Sequence, residues 1–458
     1  MVFQHLAILG FGKSAISTIE FFLTQYPSVG LRVSESKTRD KFDEARISEL
    51  EALGIGFEFG EQTKNFITWD GASELFIMVS PGIPPRTPVI DIVRNSGASF
   101  GTDLDLLLMF SAARKIAVTG TNGKTTTTAL IAHILGTEGL GNIGKPFLEF
   151  TEVANQDVLV LELSSFQLFY SNVLDDNKYL PTVSVYLNMT DDHLDWHSSL
   201  QEYRDAKAKI FKDAPGKTLV MNYDDAVVRE LAANKSNVRF FSTELELNPG
   251  AYYKDGVLYL DKQQFLDVNE LNLVGKHNYS NVLAAILACK AAGTPDNQII
   301  EGLKTFKPVA HRLEYVATVD GHKFYNDSKA TNPDSAIKAL EAFDQSIAIV
   351  GGKNKNLDMS IFIDKLIEKC QAVIAIGELK TNISSALKSR GFNNVNEANS
   401  LAEAVELALD YAKNIPGIPV VLAPASSSFD MFTGYEDRGN QFAKIVYTKS
   451  SDPIVSKS

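Results

Sequence analysis

The sequence predicts an α/β protein of three successive domains built on parallel sheets. Three observations carry that expectation. At 458 residues the chain exceeds a single ordinary core and fits about three domains. Short apolar, β-branched runs alternate with helical stretches, the order that produces parallel sheets. Four of those runs end in glycine: Leu6–Leu9 before Gly10-Phe11-Gly12, Ile116–Thr119 before Gly120–Thr125, Ser346–Val350 before Gly351-Gly352, and Val373–Ile376 before Gly377.

In the first segment, Leu6–Leu9 reads as a strand, followed by a helical pattern through Leu23 and a second strand near Leu31–Ser34. Ile77–Val79 is another strand, running into the turn Ser80-Pro81-Gly82, and the segment ends near Gly101-Thr102. In the second segment, Val158–Leu161, Thr182–Leu187 and Thr218–Met221 are continuous apolar runs, as expected of parallel strands buried on both faces. Leu258–Leu273 looks like a β-rich excursion. A helix from about Ser280 to Ala292 stops at Gly293-Thr294-Pro295. In the third segment, after Lys307-Pro308, strands at Ser346–Val350, Val373–Ile376 and Val420–Leu422 each run into a small-residue turn. The tail Ser450–Ser458 is polar and expected to fray.

Composition narrows the function classes. Apolar content of 45% and charged content of 22% are those of a globular protein. A formal net charge of −12 argues against a general nucleic-acid binder. It leaves room for small anionic substrates, which local loops can hold. The two cysteines, Cys289 and Cys370, form neither a disulfide framework nor a metal motif and fit a reducing compartment. The N-terminal stretch lacks the basic and long apolar parts of a signal peptide, and no run of about 18 apolar residues suggests a membrane span. The expectation is a cytoplasmic protein without membrane insertion.

The most informative stretch is IAVTGTNGKTTTT, Ile116–Thr128. A strand leads into Gly120-Thr121-Asn122-Gly123-Lys124-Thr125-Thr126 and then a helix. Backbone N–H groups of such a loop can curl around phosphate oxygens, and the helix N-terminus adds positive potential. Lys124 can reach β- and γ-phosphates, and the Thr125 hydroxyl can ligate Mg²⁺. A plain glycine turn would not need the lysine and hydroxyl at these offsets. Val118 stands where the full pattern has glycine. Glu162 ends the strand VLVLE, where a carboxylate can hold Mg²⁺ or simply cap the strand end. The run Asn188–His197 contains Asp191, Asp192, His193 and Asp195; His193 is a metal candidate, while such clusters also serve as loop caps. Lys207, in Tyr203-Arg204-Asp205-Ala206-Lys207, reads from its lysine-rich helix as a solvated side chain.

Other motifs are weaker one by one. Gly10-x-Gly12-x-x-Ala15 with Glu35 downstream fits a dinucleotide fingerprint, though a tight ligand-free turn or a general nucleotide-phosphate site fits as well. Asn278 and Ser280 are plausible helix caps. His311-Arg312 could be a surface pair. Asn326-Asp327-Ser328-Lys329-Ala330-Thr331-Asn332-Pro333, Gly352-Lys353-Asn354-Lys355 and Ser426-Ser427-Ser428-Phe429-Asp430 each follow a strand and together would form an anion pocket at a sheet edge.

Taken in this order, the motifs resemble the Mur ligases of peptidoglycan synthesis over essentially the whole chain. Thr119–Thr125 is similar to the ATP loop of that superfamily, which includes folylpolyglutamate synthases and tolerates a non-glycine residue at position 118. Glu162–Leu168, Asp192–Asp195 and Asn326–Asn332 resemble the D-glutamate-adding branch, and no Asp-Asn-Pro-Arg motif of the diaminopimelate- or lysine-adding branch is present. The resemblance implies a Rossmann-like UDP-binding domain at 1–102, a central P-loop ATPase-like domain at 103–308 and a C-terminal Rossmann-like ligase domain at 309–458. It implies ATP bound by Gly120–Thr126 with Asn278, Asn281, Arg312 and Asp327. It implies two Mg²⁺ ions held by Thr125, Glu162, His193 and Lys207, the last as a carbamate, with Lys124 and Lys329 catalytic. Ser14, Glu35, Ser36, Lys37, Ser80, Asn142 and His193 fall where the family holds the UDP substrate. Thr331, Lys355, Ser428 and Phe432 fall around D-glutamate.

The activity so implied is ATP-dependent joining of D-glutamate to UDP-N-acetylmuramoyl-L-alanine through an acyl phosphate, by a monomeric cytoplasmic enzyme. The alternatives are another amide ligase of the Mur or folylpolyglutamate type, and a nucleotide-binding protein without catalysis. Two departures stand out: Leu135–Leu140 runs directly into Gly141-Asn142-Ile143-Gly144, a shorter passage than is usual in the family, and Lys353 occupies a position that is often acidic or small.

Overall fold

The computed structural model describes the chain apart from residues 1–2, 69–73, 144, 149–156, 191–195, 274, 308–309, 355–356 and 451–458. The boundary expected at 308/309 lies outside the described residues, as do His193 and Lys355. Strands and helices alternate as expected and build three sheets of five, nine and six strands.

The first sheet comprises β1 (His5–Leu9), β2 (Gly30–Glu35), β3 (Gly56–Phe59), β4 (Leu75–Val79) and β5 (Ser99–Gly101), connected through α1 (Lys13–Gln25), α2 (Glu44–Ala52) and α3 (Pro88–Asn95). Its order is β3-β2-β1-β4-β5, parallel throughout. Leu6 and Ile8 pack into one core cluster and Ala7 and Leu9 into another. Both faces of β1 are therefore covered, which is why it reads as an unbroken apolar run. The strand order reverses between β1 and β4, so a crevice opens at their carboxyl ends.

The chain then forms α4 (Asp103–Phe110), with a capping box between Thr102 and Asp105. The second sheet follows: β6 (Arg114–Thr119), α5 (Lys124–Leu135), β7 (Gly139–Gly141), β8 (Val158–Glu162), α6 (Ser165–Tyr170), β9 (Val183–Tyr186), α7 (Leu200–Ala208), β10 (Thr218–Asn222), α8 (Ala226–Ala232), β11 (Val238–Ser242), β12 (Ala251–Lys254), β13 (Val257–Leu260) and β14 (Gln263–Asp267). The order is β14-β13-β12-β11-β10-β9-β6-β8-β7. Strands β7 to β12 pair in parallel, and β13 turns back antiparallel on β12. The β-rich excursion thus starts at Ala251 and ends at Asp267, earlier on both sides than its apolar pattern suggests. The short passage after α5 still makes an edge strand, β7. Helices α9 (Lys276–Ala291) and α10 (Asp296–Thr305) complete this part.

Asp105 explains how the first two sheets are joined. Its Oδ1 accepts from Ser171 Oγ and from the N–H groups of Asn172 and Val173, each at 3.0 Å, while Oδ2 accepts from Thr102 N at 2.8 Å. Burial pushes this carboxyl up, and those bonds oppose the shift. One core cluster runs from Phe3 and Leu6 through Leu104–Leu108 to Ala117 and Leu161. The chain accordingly divides into two compact units, Met1–Phe265 with Val282–Leu303, and Leu266–Asn281 with Lys304–Ser458.

The third sheet belongs to the second unit: β15 (Glu314–Val319), β16 (His322–Asn326), α11 (Pro333–Glu341), β17 (Ser346–Gly351), α12 (Ser360–Lys369), β18 (Cys370–Ile376), α13 (Lys380–Ser389), β19 (Val395–Glu397), α14 (Leu401–Ala412), β20 (Val420–Leu422) and α15 (Tyr435–Lys449). Its order is β15-β16-β20-β17-β18-β19, parallel except for the β15–β16 hairpin. Among the described residues no helix is long and apolar enough to cross a membrane.

Candidate active site

The phosphate loop leaves the end of β6, between β8 and β9. Gly120 has φ +152°, and a Cβ there would stand 3.0 Å from Leu187 Cβ and 3.3 Å from Asn188 N, so only glycine fits. Asn188 clamps the loop from β9: its Oδ1 accepts from Asn122 N at 2.8 Å, its Nδ2 donates to Asn122 O at 3.1 Å, and its carbonyl accepts from Thr121 N at 3.0 Å. Thr121 Oγ1 accepts from Thr190 N at 3.0 Å and lies 3.1 Å from Tyr203 Oη. The loop is thus held in shape by its neighbours, with Thr125 and Thr126 buried on the first turn of α5.

Two lysines meet at one carbonyl of this loop. Lys124 Nζ donates to Gly120 O at 2.9 Å and to Thr121 O at 2.7 Å. Lys207 Nζ donates to Gly120 O at 2.9 Å and lies 4.7 Å from the Tyr203 ring centroid. Lys207 is only 1% exposed, so the solvated-face reading of its helix is overturned. The YRDAK pattern turns Tyr203 and Lys207, one helical turn apart, inward together.

Glu162 ends β8 opposite Val118 of β6, again beside the loop. Its Oε1 accepts from Asn142 Nδ2 at 2.9 Å, and Asn142 N donates to Glu162 O at 3.1 Å. The short passage before Asn142 therefore delivers that residue to the carboxylate. Glu162 Oε2 is buried without a hydrogen-bond partner among the described residues. A buried carboxylate oxygen left unpaired beside a phosphate loop is the kind of hard donor that Mg²⁺ takes, and Thr125 offers a hydroxyl on the same loop. The residues present fit the ion.

At the first sheet's crevice, Gly10 and Ser80 are in close approach: a Cβ on Gly10 would lie 2.6 Å from Ser80 Oγ. Glu35 Oε2 accepts from Phe11 N at 2.8 Å, and its Oε1 accepts from Lys37 N at 2.9 Å and Ser36 Oγ at 3.2 Å. Oε2 thus braces the glycine loop, while Oε1 holds Ser36 and Lys37 beside it. Ser14, at the start of α1, bonds the buried Asp103, whose carboxyl burial pushes up to about 6.

In the second unit, α9 begins at Lys276, so Asn278 and Ser280 lie inside the helix rather than capping it. Asn278 and Asn281 are both buried, with Asn281 Nδ2 3.3 Å from Asn278 Oδ1. Burial pushes the neighbouring His277 down to about 4, and the cations Lys338 and Arg312 add to the shift. His311 is no surface residue: its Nδ1 lies 3.0 Å from Asn326 Nδ2. Asp327 Oδ1 accepts from Leu313 N at 3.0 Å. Burial pushes Asp327 up to about 7, opposed by Arg312. Lys329 Nζ sits 5.1 Å over the Tyr435 ring, and Thr331 N donates to Lys329 O at 2.9 Å.

Arg438 links this segment to the one after β20. Its Nε donates to Ser328 Oγ at 2.9 Å, and Nη2 donates to Ser328 O at 2.8 Å and Ser426 O at 3.1 Å. Ser428 is buried in the second segment, whereas Phe432 packs against the apolar cluster around Phe324 and Phe442. Lys353 N donates to Ser427 O at 2.9 Å.

The structure thus brings together Lys124, Thr125, Asn142, Glu162 and Lys207 in the first unit, and Asn326–Thr331 with Ser428 in the second. Sequence reasoning missed Asn188, Tyr203, Tyr435 and Arg438. Asn188 and Tyr203 stand inside stretches singled out for other residues; Tyr435 and Arg438 lie on a helix whose alternation of polar residues looks like an exposed face.

The Mur ligase middle domain matches residues 118–289, and the Mur ligase glutamate ligase domain matches residues 311–426. A UDP-N-acetylmuramoylalanine–D-glutamate ligase of Pelotomaculum thermopropionicum is 37% identical over 456 residues, covering 97% of each chain. The protein of that name from Staphylococcus aureus is 34% identical over 449 residues, covering 96% of each. Among solved structures, the MurF ligase of Thermotoga maritima in complex with ADP superposes with a TM-score of 0.60 at 18% identity, covering 92% of this chain and 96% of that one. The UDP-N-acetylmuramate–alanine ligase MurC of the same organism gives 0.58 at 19% identity, covering 97% and 99%. Three sheets in this order, a braced phosphate loop beside a lone carboxylate oxygen, and relatives of equal length agree: the chain belongs to the Mur ligase family.

Proposed function

We propose that the protein joins D-glutamate to UDP-N-acetylmuramoyl-L-alanine at the expense of ATP, in the cytoplasm and as a monomer. The relatives that match along their whole length carry that activity in their names. The observation that carries the chemistry is the convergence of Lys124 and Lys207 on Gly120 O, beside the unpaired Glu162 oxygen.

A carboxylate is a poor acylating agent, because resonance and charge both resist an amine. The L-alanyl carboxylate therefore attacks the γ-phosphorus of ATP, the bond to ADP breaks, and an acyl phosphate forms. The amine of D-glutamate then adds to that carbonyl; it gives up its proton, phosphate leaves and the amide remains. The first step brings two anions together, so fixed positive charge lowers its barrier. Lys124 turns from the loop carbonyls to the β- and γ-phosphates, and the Gly120–Thr126 amides orient them.

Mg²⁺ would neutralise phosphate charge. Thr125, Glu162, His193 and Lys207, carbamylated by CO₂, would hold two ions. Lys207 is buried with its Nζ against the phosphate loop, and a carbamate there would offer the ion an oxygen donor. Asn278, Asn281, Arg312 and Asp327 complete the ATP site, and Ser14, Glu35, Ser36, Lys37, Ser80 and Asn142 bind the UDP substrate. Lys329 places the reacting oxygens. Thr331, Lys355, Ser428 and Phe432 surround D-glutamate. Domain boundaries at 102/103 and 308/309 belong to the same reading.

The test is amino-acid selectivity. Purified protein with ATP, Mg²⁺ and UDP-N-acetylmuramoyl-L-alanine releases phosphate and forms one amide product with D-glutamate. L-glutamate, glycine and L-lysine leave the substrate unchanged. Ligation of a different amino acid, or of glutamate to a folate, would replace the reading.

A further inference from the structure

His197 takes no part in the sites above, yet its side chain is completely buried and bonded to the start of α6. Nε2 lies 2.9 Å from Ser165 Oγ, and Nδ1 faces Glu202 Oε2 at 3.4 Å. The ring packs among aromatic neighbours, with centroids 4.6 Å from Trp196, 5.7 Å from Phe166 and 5.3 Å from Tyr203. These partners belong to two elements. Ser165 opens α6, three residues after Glu162 ends β8. Glu202 and Tyr203 lie on α7, whose next turn carries Lys207. Tyr203 also reaches the phosphate loop through Thr121 Oγ1.

We propose that His197 is a positioning residue that fixes α7 against the start of α6 and so sets the spacing between Glu162 and Lys207 at the phosphate loop. The Nε2 contact with Ser165 Oγ fixes the imidazole at one ring nitrogen, and the Glu202 carboxylate stands 3.4 Å from the other. The aromatic rings packed around it restrict its movement. Misplacing a charge-bearing group by about 1 Å costs on the order of 10²-fold in rate, so a join of this kind has a large effect although it touches no substrate.

The proposal rests on the assignment of Glu162 and Lys207 to the metal site, so its test reads metal binding directly. Mn²⁺ is titrated into the full chain with a non-hydrolysable ATP analogue, and free ion is followed by its EPR signal. His197→Ala and Ser165→Ala weaken Mn²⁺ binding about tenfold, the low end of the range for outer partners of a metal site. In His197→Gln the amide reaches Ser165 from a similar position and recovers most of the binding. The KM for D-glutamate stays within about twofold, as it does for a group remote from that substrate.

Native Mn²⁺ affinity in both His197→Ala and Ser165→Ala overturns the proposal. So does an equal loss of Mn²⁺ and D-glutamate affinity in both, which marks general damage; Ser165→Ala carries the test if the histidine variant fails to fold. Glu162→Gln serves as the reference. If it too binds Mn²⁺ normally, the metal-site assignment falls and the positioning role with it. If it alone loses the ion, only the positioning role is refuted.

Discussion

Replacing Arg438 by alanine should cost the second unit stability and D-glutamate binding together. The guanidinium is 0% exposed and donates three hydrogen bonds, two to Ser328 and one to Ser426. Those residues sit in the two loops that carry Lys329, Thr331 and Ser428. Burial pulls Arg438 down to about 10, while Asp430 and Asp327 pull the other way, so the cation is retained at neutral pH. Hydrogen bonds from a charged donor are each worth about 1.5–3 kcal/mol, and removing one partner from a buried charged cluster costs about 3–5 kcal/mol. We take about 4 kcal/mol, since truncation also leaves the two serine carbonyls unpaired. For a unit of this size, 1 kcal/mol corresponds to about 2–4 °C, so the melting transition should fall by about 8–16 °C. Calorimetry of the full chain measures the shift, and initial rates at temperatures where the variant is folded measure the KM for D-glutamate. Arg438→Lys, which keeps the charge and loses the planar fork, should recover part of the stability and little of the KM. A drop of less than about 3 °C with an unchanged D-glutamate KM would refute the argument that this side chain ties the two loops.

The remaining expectations concern single groups. Lys207→Ala should lose nearly all activity and regain part of it with added formate or acetate, which can stand where the carbamate would; full activity without rescue rejects the carbamate. Gly120→Ala should raise the KM for ATP at least about tenfold, since strain of about 1–3 kcal/mol adds to the contacts with Leu187 and Asn188; native ATP kinetics would contradict this. Asp327 titrates near 7 in the folded protein and near 3.8 when unfolded, so the folded state binds the extra proton between those values and loses stability as pH rises through them. Melting temperatures of Asp327→Asn and the native protein should therefore agree at pH 4 and diverge toward pH 8 in favour of the variant. A constant difference across that range shows that Asp327 does not titrate there.

Much of this architecture is legible in the sequence because buried parallel strands write themselves as apolar runs. Leu6–Leu9, Val158–Leu161 and Val420–Leu422 fall within a residue of the observed strands. The phosphate loop is legible for a different reason: a backbone that must avoid Leu187 and Asn188 leaves glycine at position 120, and the chemistry fixes the lysine and hydroxyl behind it. Burial of polar helix positions was not legible. Lys207 and Arg438 lie on helices of ordinary charge pattern: only the family resemblance marks Lys207 in the sequence, and only the partners it meets, Ser328 and Ser426, distinguish Arg438 from a solvated side chain. The three domains expected from length and pattern appear as three sheets, but one core cluster that runs from β1 through α4 to β8 ties the first two into one compact unit, and no local pattern announces that fusion.

The Asp105 carboxylate bears on how freely this enzyme's parts could be exchanged with those of a relative. It draws its donors from both sides of a seam: Thr102 before α4, and Ser171, Asn172 and Val173 after α6. A chimera spliced between Thr102 and Asp103 would part the cap from its helix. One that imported α4 with a foreign first sheet would have to bring a matching turn after α6, or strand a buried carboxyl. A graft that moves only residues before Thr102 keeps each of these Asp105 donors with its acceptor, and has to reproduce the Ser14 bond to Asp103 and the Phe100 carbonyl that accepts from Asn172 Nδ2. Recombination at this seam is thus channelled by the Asp105 cap and those few bonds across it.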